Sequence, residues 1–545
     1  MSLLRMSRAR LAALATAASS GAMAAPAQAV EMELHSTTAA QAYEVASPWG
    51  GALLDRRRLL QTLSLGLYHL QGERAADGAD YSLAMMLRLD ADFGVNAHLV
   101  GGDAGAETDY ARSSGSRFIP GYQVAPLDLM YGYIEGRNLA GGWLGFRLGR
   151  QYITDALGWW SFDGALVRLT TPYFVQAEVY GGLEQRGGLP LSTSRYEQQG
   201  VWRGSHAQFG TGQGRPSAAD YPSYQFTAPA PAFGAALETS GVSFLHGRLT
   251  YRRVYNTATS FTQQFPDASG NYPTIDGARI SQERIGYEAG VTLPSRGGIN
   301  GGFSYDLYNQ LVGMAQGNVE AYLGEHVTVG ANVDYFVPTF DADSIWNWFT
   351  HSPVTTAVGR VAVEVTSTVH VAASGGVRLW ATDGDPDAFR MGQCAELGLS
   401  VADCDGAFGN PDVLAGYTQD EANRGTSLTP DALANVSARY RLRSAEVELR
   451  GMMQAGERGR RVGADVSGEK RLDGGRYALG TRLSLHDWED PLRPERGATS
   501  FGYVLGAGYR PIQVADMRLE WEHDMNRLVG HRFRVLGVLT LRVTP

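Results

Sequence analysis

From residue 30 onward the chain is written in short stretches whose apolar and polar residues alternate with a period of two. Ala515, Met517, Leu519 and Trp521 take one set of alternate positions, while Asp516, Arg518, Glu520 and Glu522 take the other. Successive side chains of a strand point to opposite faces, so this stretch predicts a strand with one apolar and one charged face. Val327, Val329, Ala331, Val333 and Tyr335 oppose Thr328, Gly330, Asn332 and Asp334 in the same way. Val436, Ala438, Tyr440 and Leu442 oppose Ser437, Arg439, Arg441 and Arg443, and Leu87, Leu89 and Ala91 oppose Arg88, Asp90 and Asp92. About 22 such segments can be marked from residue 31 to residue 542, with 18 to 22 accepted because neighbouring weak strands can merge. Neither sustained helical periodicity nor a linker interrupts them.

A soluble sandwich alternates as well, and the connections separate the two readings. With the first strand running outward, the long connections 93–126, 186–231, 258–281, 339–353, 381–431 and 488–499 all follow odd-numbered strands. Even-numbered strands end in short turns such as Thr171-Pro172, Gly324-Glu325 and the stretch from Asp473 to Gly475. Short turns on the periplasmic side and long loops on the cell surface are the asymmetry of an outer-membrane barrel. The expected fold is therefore all-β: one large antiparallel transmembrane β-barrel over residues 30–545, integral to a bacterial outer membrane and bathed in its lipid and lipopolysaccharide. Residues 1–29 read as a cleavable signal peptide, with Arg5, Arg8 and Arg10 before a weakly apolar stretch and an Ala27-Gln28-Ala29 cleavage site. Tyr152, Trp159, Trp160, Tyr173, Tyr335, Phe336, Trp346, Trp348 and Trp380 fall near strand ends, as interfacial girdles would.

Composition leaves this picture in place. An apolar content of 44% would suit a soluble protein, but alternating lipid-facing and lumen-facing residues give a barrel the same average. A net charge of −9, with no basic cluster beyond Arg56 to Arg58, argues against nucleic acid as a partner.

A barrel of this size is too wide for its own side chains to fill. Strand-like sequence begins almost at the cleavage site, so no globular N-terminal plug is expected. The lumen should be open or narrowed by infolded connections, with 93–126, 186–231 and 381–431 as candidates. Alternation places Arg88, Arg168, Arg439, Arg441, Arg443, Arg450, Arg482 and Arg518 on the inner face, together with Asp90, Glu446, Glu448, Glu520 and Glu522. Either opposite charges simply stabilise a hydrated wall, or the arginines select anionic or polyhydroxylated solutes through paired hydrogen bonds.

The run from Gly145 to Gln151, followed by Trp159, Trp160 and Phe162-Asp163-Gly164, resembles the strand-loop-strand signature of the alginate-export family of outer-membrane porins. That resemblance spans about twenty residues, and the loop between the strands is short. It implies a monomeric barrel with an Arg-rich lumen for an acidic polysaccharide, adds Arg147 and Arg150 to the pore-lining set, and implies periplasmic export partners.

Cys394 and Cys404, the only cysteines, lie in one surface connection and are expected to form a loop disulfide in this oxidising compartment. Asp383, Asp385 and Asp387 could offer oxygens to calcium, but the stretch lacks the glutamate and spacing of an EF-hand, so a solvated acidic loop is expected; no metal or other cofactor is. His486 and Ser484 share the inner face without a third catalytic member, and no enzyme is expected. The expected function is a passive channel for polysaccharide or other polar and anionic solutes. The alternative is a non-conducting structural or adhesive component of an envelope machine.

Overall fold

In the computed structural model the described residues are 30–46, 52–72, 78–92, 127–185, 230–257, 260–262, 274–308, 310–337, 353–382, 427–456, 459–489, 497–527 and 530–544. The signal segment 1–29, Cys394, Cys404, the Asp383 to Asp387 stretch, Trp346, Trp348 and the three loops expected to fold inward lie outside them.

The chain forms β1 (Glu31–Ala46), β2 (Ala52–Tyr68), β3 (Asp80–Asp92), β4 (Leu127–Asn138), β5 (Leu144–Asp155), β6 (Gly158–Thr170), β7 (Val175–Glu184), β8 (Pro231–Thr239) and β9 (Leu245–Asn256). A separate small hairpin, β10 (Ser260–Thr262) and β11 (Thr274–Asp276), stands apart from the main sheet. The sheet resumes with β12 (Arg279–Leu293), β13 (Gly297–Asp306), β14 (Leu311–Leu323), β15 (Val327–Phe336), β16 (Val354–Thr366) and β17 (Val369–Thr382). It ends with β18 (Ser427–Arg441), β19 (Ala445–Gly456), β20 (Gly459–Leu472), β21 (Tyr477–Glu489), β22 (Ala498–Ile512), β23 (Ala515–Asn526) and β24 (Gly530–Val543).

Each strand pairs antiparallel with the next, as at β1–β2 and β9–β12, and β24 pairs back onto β1 from Leu34↔Val543 to Ala46↔His531. The 22 strands therefore close into one barrel, at the upper end of the range expected from the sequence. Closure leaves no strand edge unpaired, which a spanning sheet needs where no water can satisfy backbone groups.

Register sorts the side chains cleanly. Val179, Leu237, Ile299, Leu449, Leu483, Leu505 and Leu519 are exposed on the outer surface. An apolar band around a closed, even-numbered antiparallel barrel is the lipid-facing surface of an integral outer-membrane protein. Tight turns, as at 171–174, 294–296 and 513–514, gather at one end of the barrel and mark its periplasmic side, and β3, β7 and β17 end at the other.

The aromatic girdle is partly redrawn. Tyr477 and Tyr509 stack on the outside near the periplasmic end with centroids 5.1 Å apart, and Phe501 and Tyr503 lie outside near the other end. Tyr335 also faces outward, and Tyr173 is exposed in a periplasmic turn. Phe336 and Trp380 instead alternate onto the inner face, and Trp380 donates to Asp431 at 2.8 Å. Tyr152, Trp159 and Trp160 serve a different purpose, in the lumen.

Candidate functional site

The inner wall is a lattice of opposite charges. Across β18 and β19, Arg439 faces Glu448 and Arg441 faces Glu446 in register. Arg441 reaches Glu446 at 3.0 Å, and Arg439 reaches Glu446 at 3.3 Å and Glu448 at 3.2 Å, while Arg450 reaches Glu448 at 2.9 Å. Further round, Arg518 lies 3.9 Å from Glu520, and Glu522 binds both Arg532, at 2.7 Å, and Arg534. Arg482 sits between Ser467 and Val504 on the same face. A cleft of about 440 Å³ opens over this part of the wall, lined by Glu446, Glu469, Arg471, Arg482, Arg518 and Glu520. Apart from the buried Glu522, these charges reach water, so they set the local potential more than they stabilise the fold.

On the opposite side of the barrel the central carboxylates, Glu178 and Glu135, are buried. Glu178 accepts from Arg168 at 2.7 Å and from Arg248 at 2.7 Å, and Arg248 also binds Glu238 at 2.6 Å. Glu135 holds Arg137 at 2.6 Å and Arg147 at 3.1 Å. Arg88 alternates inward and is buried.

Two expected pore-lining residues, Arg443 and Arg150, lie off the regular strand lattice. Arg443 lies in the exposed turn between β18 and β19, at the periplasmic mouth, where it lines a cleft with Arg441, Glu446 and Arg471. Arg150 directly follows Gly149, where the hairpin turns, so its facing does not follow from the alternation that places Arg147. Its guanidinium donates to both carboxylate oxygens of Asp163, at 2.7 and 2.8 Å, and to the Leu129 carbonyl at 2.9 Å.

The position of Arg150 marks a break in the wall. β4 pairs with β5 only from Gly132↔Arg150 to Gly136↔Phe146, whereas β5 and β6 stay paired to Asp155↔Gly158. Beyond Arg150 the β5–β6 hairpin leaves β4, and the arginine satisfies the carbonyl that departure uncovers. The bend follows a row of glycines registered side by side, Gly149↔Gly164 and Gly164↔Gly182. A Cβ on Gly149, Gly164 or Gly182 would stand 2.3, 2.1 or 2.2 Å from a carbonyl oxygen of the neighbouring strand, and Gly149 has φ 124°. Only glycine permits so close an approach.

The hairpin tip then crosses the lumen side of β7, β8 and β9 to reach β12. A Cβ on Gly286, an inner-face position of β12, would lie 2.8 Å from Leu157 Cδ2 and 3.0 Å from Ala156 Cβ. Arg252 of β9 donates to the Leu157 carbonyl at 3.1 Å and lies 5.1 Å from the Trp160 ring centroid. Trp160 donates to Glu184 at 2.9 Å and stacks on Phe162 at 4.5 Å. With Ile153, Leu166, Tyr180, Ala232 and Val254 these rings form a small buried core inside the barrel. Burying each such large side chain is worth about 1.5–3 kcal/mol, enough to hold the hairpin against the wall. The lumen is thus narrowed by an element built into the sheet.

No family model matches this chain, and no curated protein matches it. Solved structures do resemble it. The Pseudomonas aeruginosa protein OpdK, crystallised with vanillate, is 8% identical with a TM-score of 0.38, over 95% of this chain and 99% of that one. Acinetobacter baumannii OccAB4 is 5% identical with a TM-score of 0.40, over 95% and 98%. Pseudomonas aeruginosa OccK2, in complex with glucuronate, is 8% identical with a TM-score of 0.39, over 94% and 98%. At that level of likeness, what this chain does must be read from its own wall.

The segment from Gly145 to Gly164, singled out in the sequence for its resemblance to alginate-export porins, coincides with the infolded hairpin. Its glycines were in plain sight, but which glycine meets which across strands is a matter of register. Arg248, Arg252 and Glu178, central to that region, carried no signal beyond ordinary alternation.

Proposed function

We propose that the protein is a passive outer-membrane channel for small polar solutes, anionic ones included. The observation that carries this reading is the charged, water-facing inner wall of β18 to β24, in a closed barrel whose lumen is narrowed by the β5–β6 hairpin. Paired arginines and carboxylates offer hydrogen bonds to a polar solute at every step and give an apolar one nothing to exchange for its hydration. The hairpin favours small solutes over a polysaccharide strand, because it takes lumen cross-section away from the path. Passage of an anionic polysaccharide, with periplasmic partners delivering it, is the more demanding form of the same reading.

Single-channel recording of the refolded barrel in planar bilayers tests it. Discrete conductance steps, partly blocked by small organic anions, are expected. Silence from a barrel shown to be folded and inserted would overturn the channel reading, and block by long anionic oligosaccharides with slow release would favour the polysaccharide form.

A further inference from the structure

The inward turn of the β5–β6 hairpin has a second face. Ile153 and Trp160 pack against β7 to β9, while Tyr152 and Trp159, on the alternate positions, stay exposed at 37% and 48%. Below the bend those alternate positions face lipid, as Leu148 does. Above it, Tyr152 comes within 5.6 Å of Tyr131, ring centroid to ring centroid. Tyr131 is an inner-face residue: it is registered with Met86, and its hydroxyl lies 3.3 Å from that of Ser64 on the same face. Tyr152 and Trp159 therefore look into the lumen.

Four rings then follow one another along the wall. Trp159 stacks on Tyr152 at 6.4 Å, Tyr152 meets Tyr131 at 5.6 Å, and Tyr131 meets Tyr133 at 6.0 Å. Arg147 closes the series, its guanidinium 4.5 Å from the Tyr133 centroid. That cation is held by Glu135 at 3.1 Å, a carboxylate it shares with Arg137, and it touches only the last ring of the series. Large exposed aromatic side chains pointing into water across a narrowed passage are costly to keep without a partner, and their flat faces pair with flat faces. The rung spacing lets a ring-shaped solute touch the next aromatic before it leaves the last.

The geometry points to a ring-binding track, Trp159–Tyr152–Tyr131–Tyr133, that recognises solutes by a flat, weakly polar ring face and not by their charge. A pyranose face and an aromatic ring share that chemistry. The inference rests on the lumen being the solute path, and it differs from selection by the charged wall in requiring no anion.

Calorimetric titration of the folded barrel in detergent, which does not depend on conduction, separates the possibilities. The probes are maltotriose as a neutral pyranose, benzoate as an aromatic acid and gluconate as an open-chain acid. At least one ring solute is expected to bind, and gluconate is expected to bind far more weakly. The double variant Tyr152→Ala with Trp159→Ala should weaken ring binding about tenfold or more, and Trp159→Phe should restore most of it. Both side chains are exposed, so their truncation leaves the barrel wall intact, which the heat-modified gel mobility of the variants checks. Loss of maltotriose binding identifies the ligand as a sugar, and loss of benzoate binding as an aromatic compound. Unchanged affinity in the double variant, equal binding of gluconate, or no binding of either ring solute would each overturn the track. Ring binding without conductance would leave the track standing and sink the channel; conductance without ring binding would do the reverse.

Discussion

Glu178 and Glu446 make the same kind of contact and should answer to substitution very differently. Glu178 is 4% exposed and serves Arg168 and Arg248, the latter itself only 10% exposed. Removing its charge leaves two cations beside an uncharged amide, and Arg248, almost cut off from water, keeps only Glu238. Breaking a buried pair from one side costs about 3–5 kcal/mol. Glu178→Gln should therefore lower the stability of the inserted barrel by about that much, seen as an earlier midpoint when vesicle-inserted protein is titrated with guanidinium. Arg441, 55% exposed beside Glu446, is solvated with or without its partner. Arg441→Ala should cost less than about 1 kcal/mol in the same titration. A shift for Arg441→Ala as large as that for Glu178→Gln would mean that the wall is not wet where the exposures say it is.

At the scale of elements, the infolded hairpin can be trapped in place. Leu157, in the turn of the β5–β6 hairpin, and Gly286 of β12 are far apart in sequence, with β7, β8 and β9 between their elements, yet their side-chain positions nearly touch. The double variant Leu157→Cys with Gly286→Cys should form a disulfide under mild oxidation, because a Cβ on Gly286 would stand 3.2 Å from Leu157 Cγ, the place a cysteine sulfur would take. Faster gel migration that reverses with reductant is the readout; free thiols after oxidation would mean that the tip does not rest on β12. The strands themselves were legible in the sequence, since period-two alternation fixes which residues share a face. The bend was not legible: Leu148 and Tyr152 have the same parity, and only the pairing of Gly149 with Gly164 and of Gly164 with Gly182 turns one toward lipid and the other toward the lumen. The arginine in the turn, Arg443, shows the opposite limit, for alternation continues on paper past the residue where the strand stops.

The whole barrel acts on ions through the sum of its inner charges, and that sum can be changed at two adjacent positions. Glu446 and Glu448 together compensate Arg439, Arg441 and Arg450 on one stretch of wall. Arg471, Arg482 and Arg518 line the cleft beside them. Screening at roughly 0.1 M salt acts over about 10 Å, so the carboxylates matter chiefly to ions passing this stretch. Glu446→Gln with Glu448→Gln leaves the arginines in place and removes what balances them. The local potential becomes more positive, chloride enters more readily and potassium less. In a potassium chloride gradient across a planar bilayer, the reversal potential of the variant should move toward that of chloride relative to the unaltered barrel. The lipid-facing belt is untouched and the lost pairs are solvent-facing, so insertion and stability should change little. A variant that inserts normally and conducts with an unmoved reversal potential would show that ions take a route out of reach of β18 and β19. The arginines there would then be mortar for the wall, and selection would have to be sought at the hairpin.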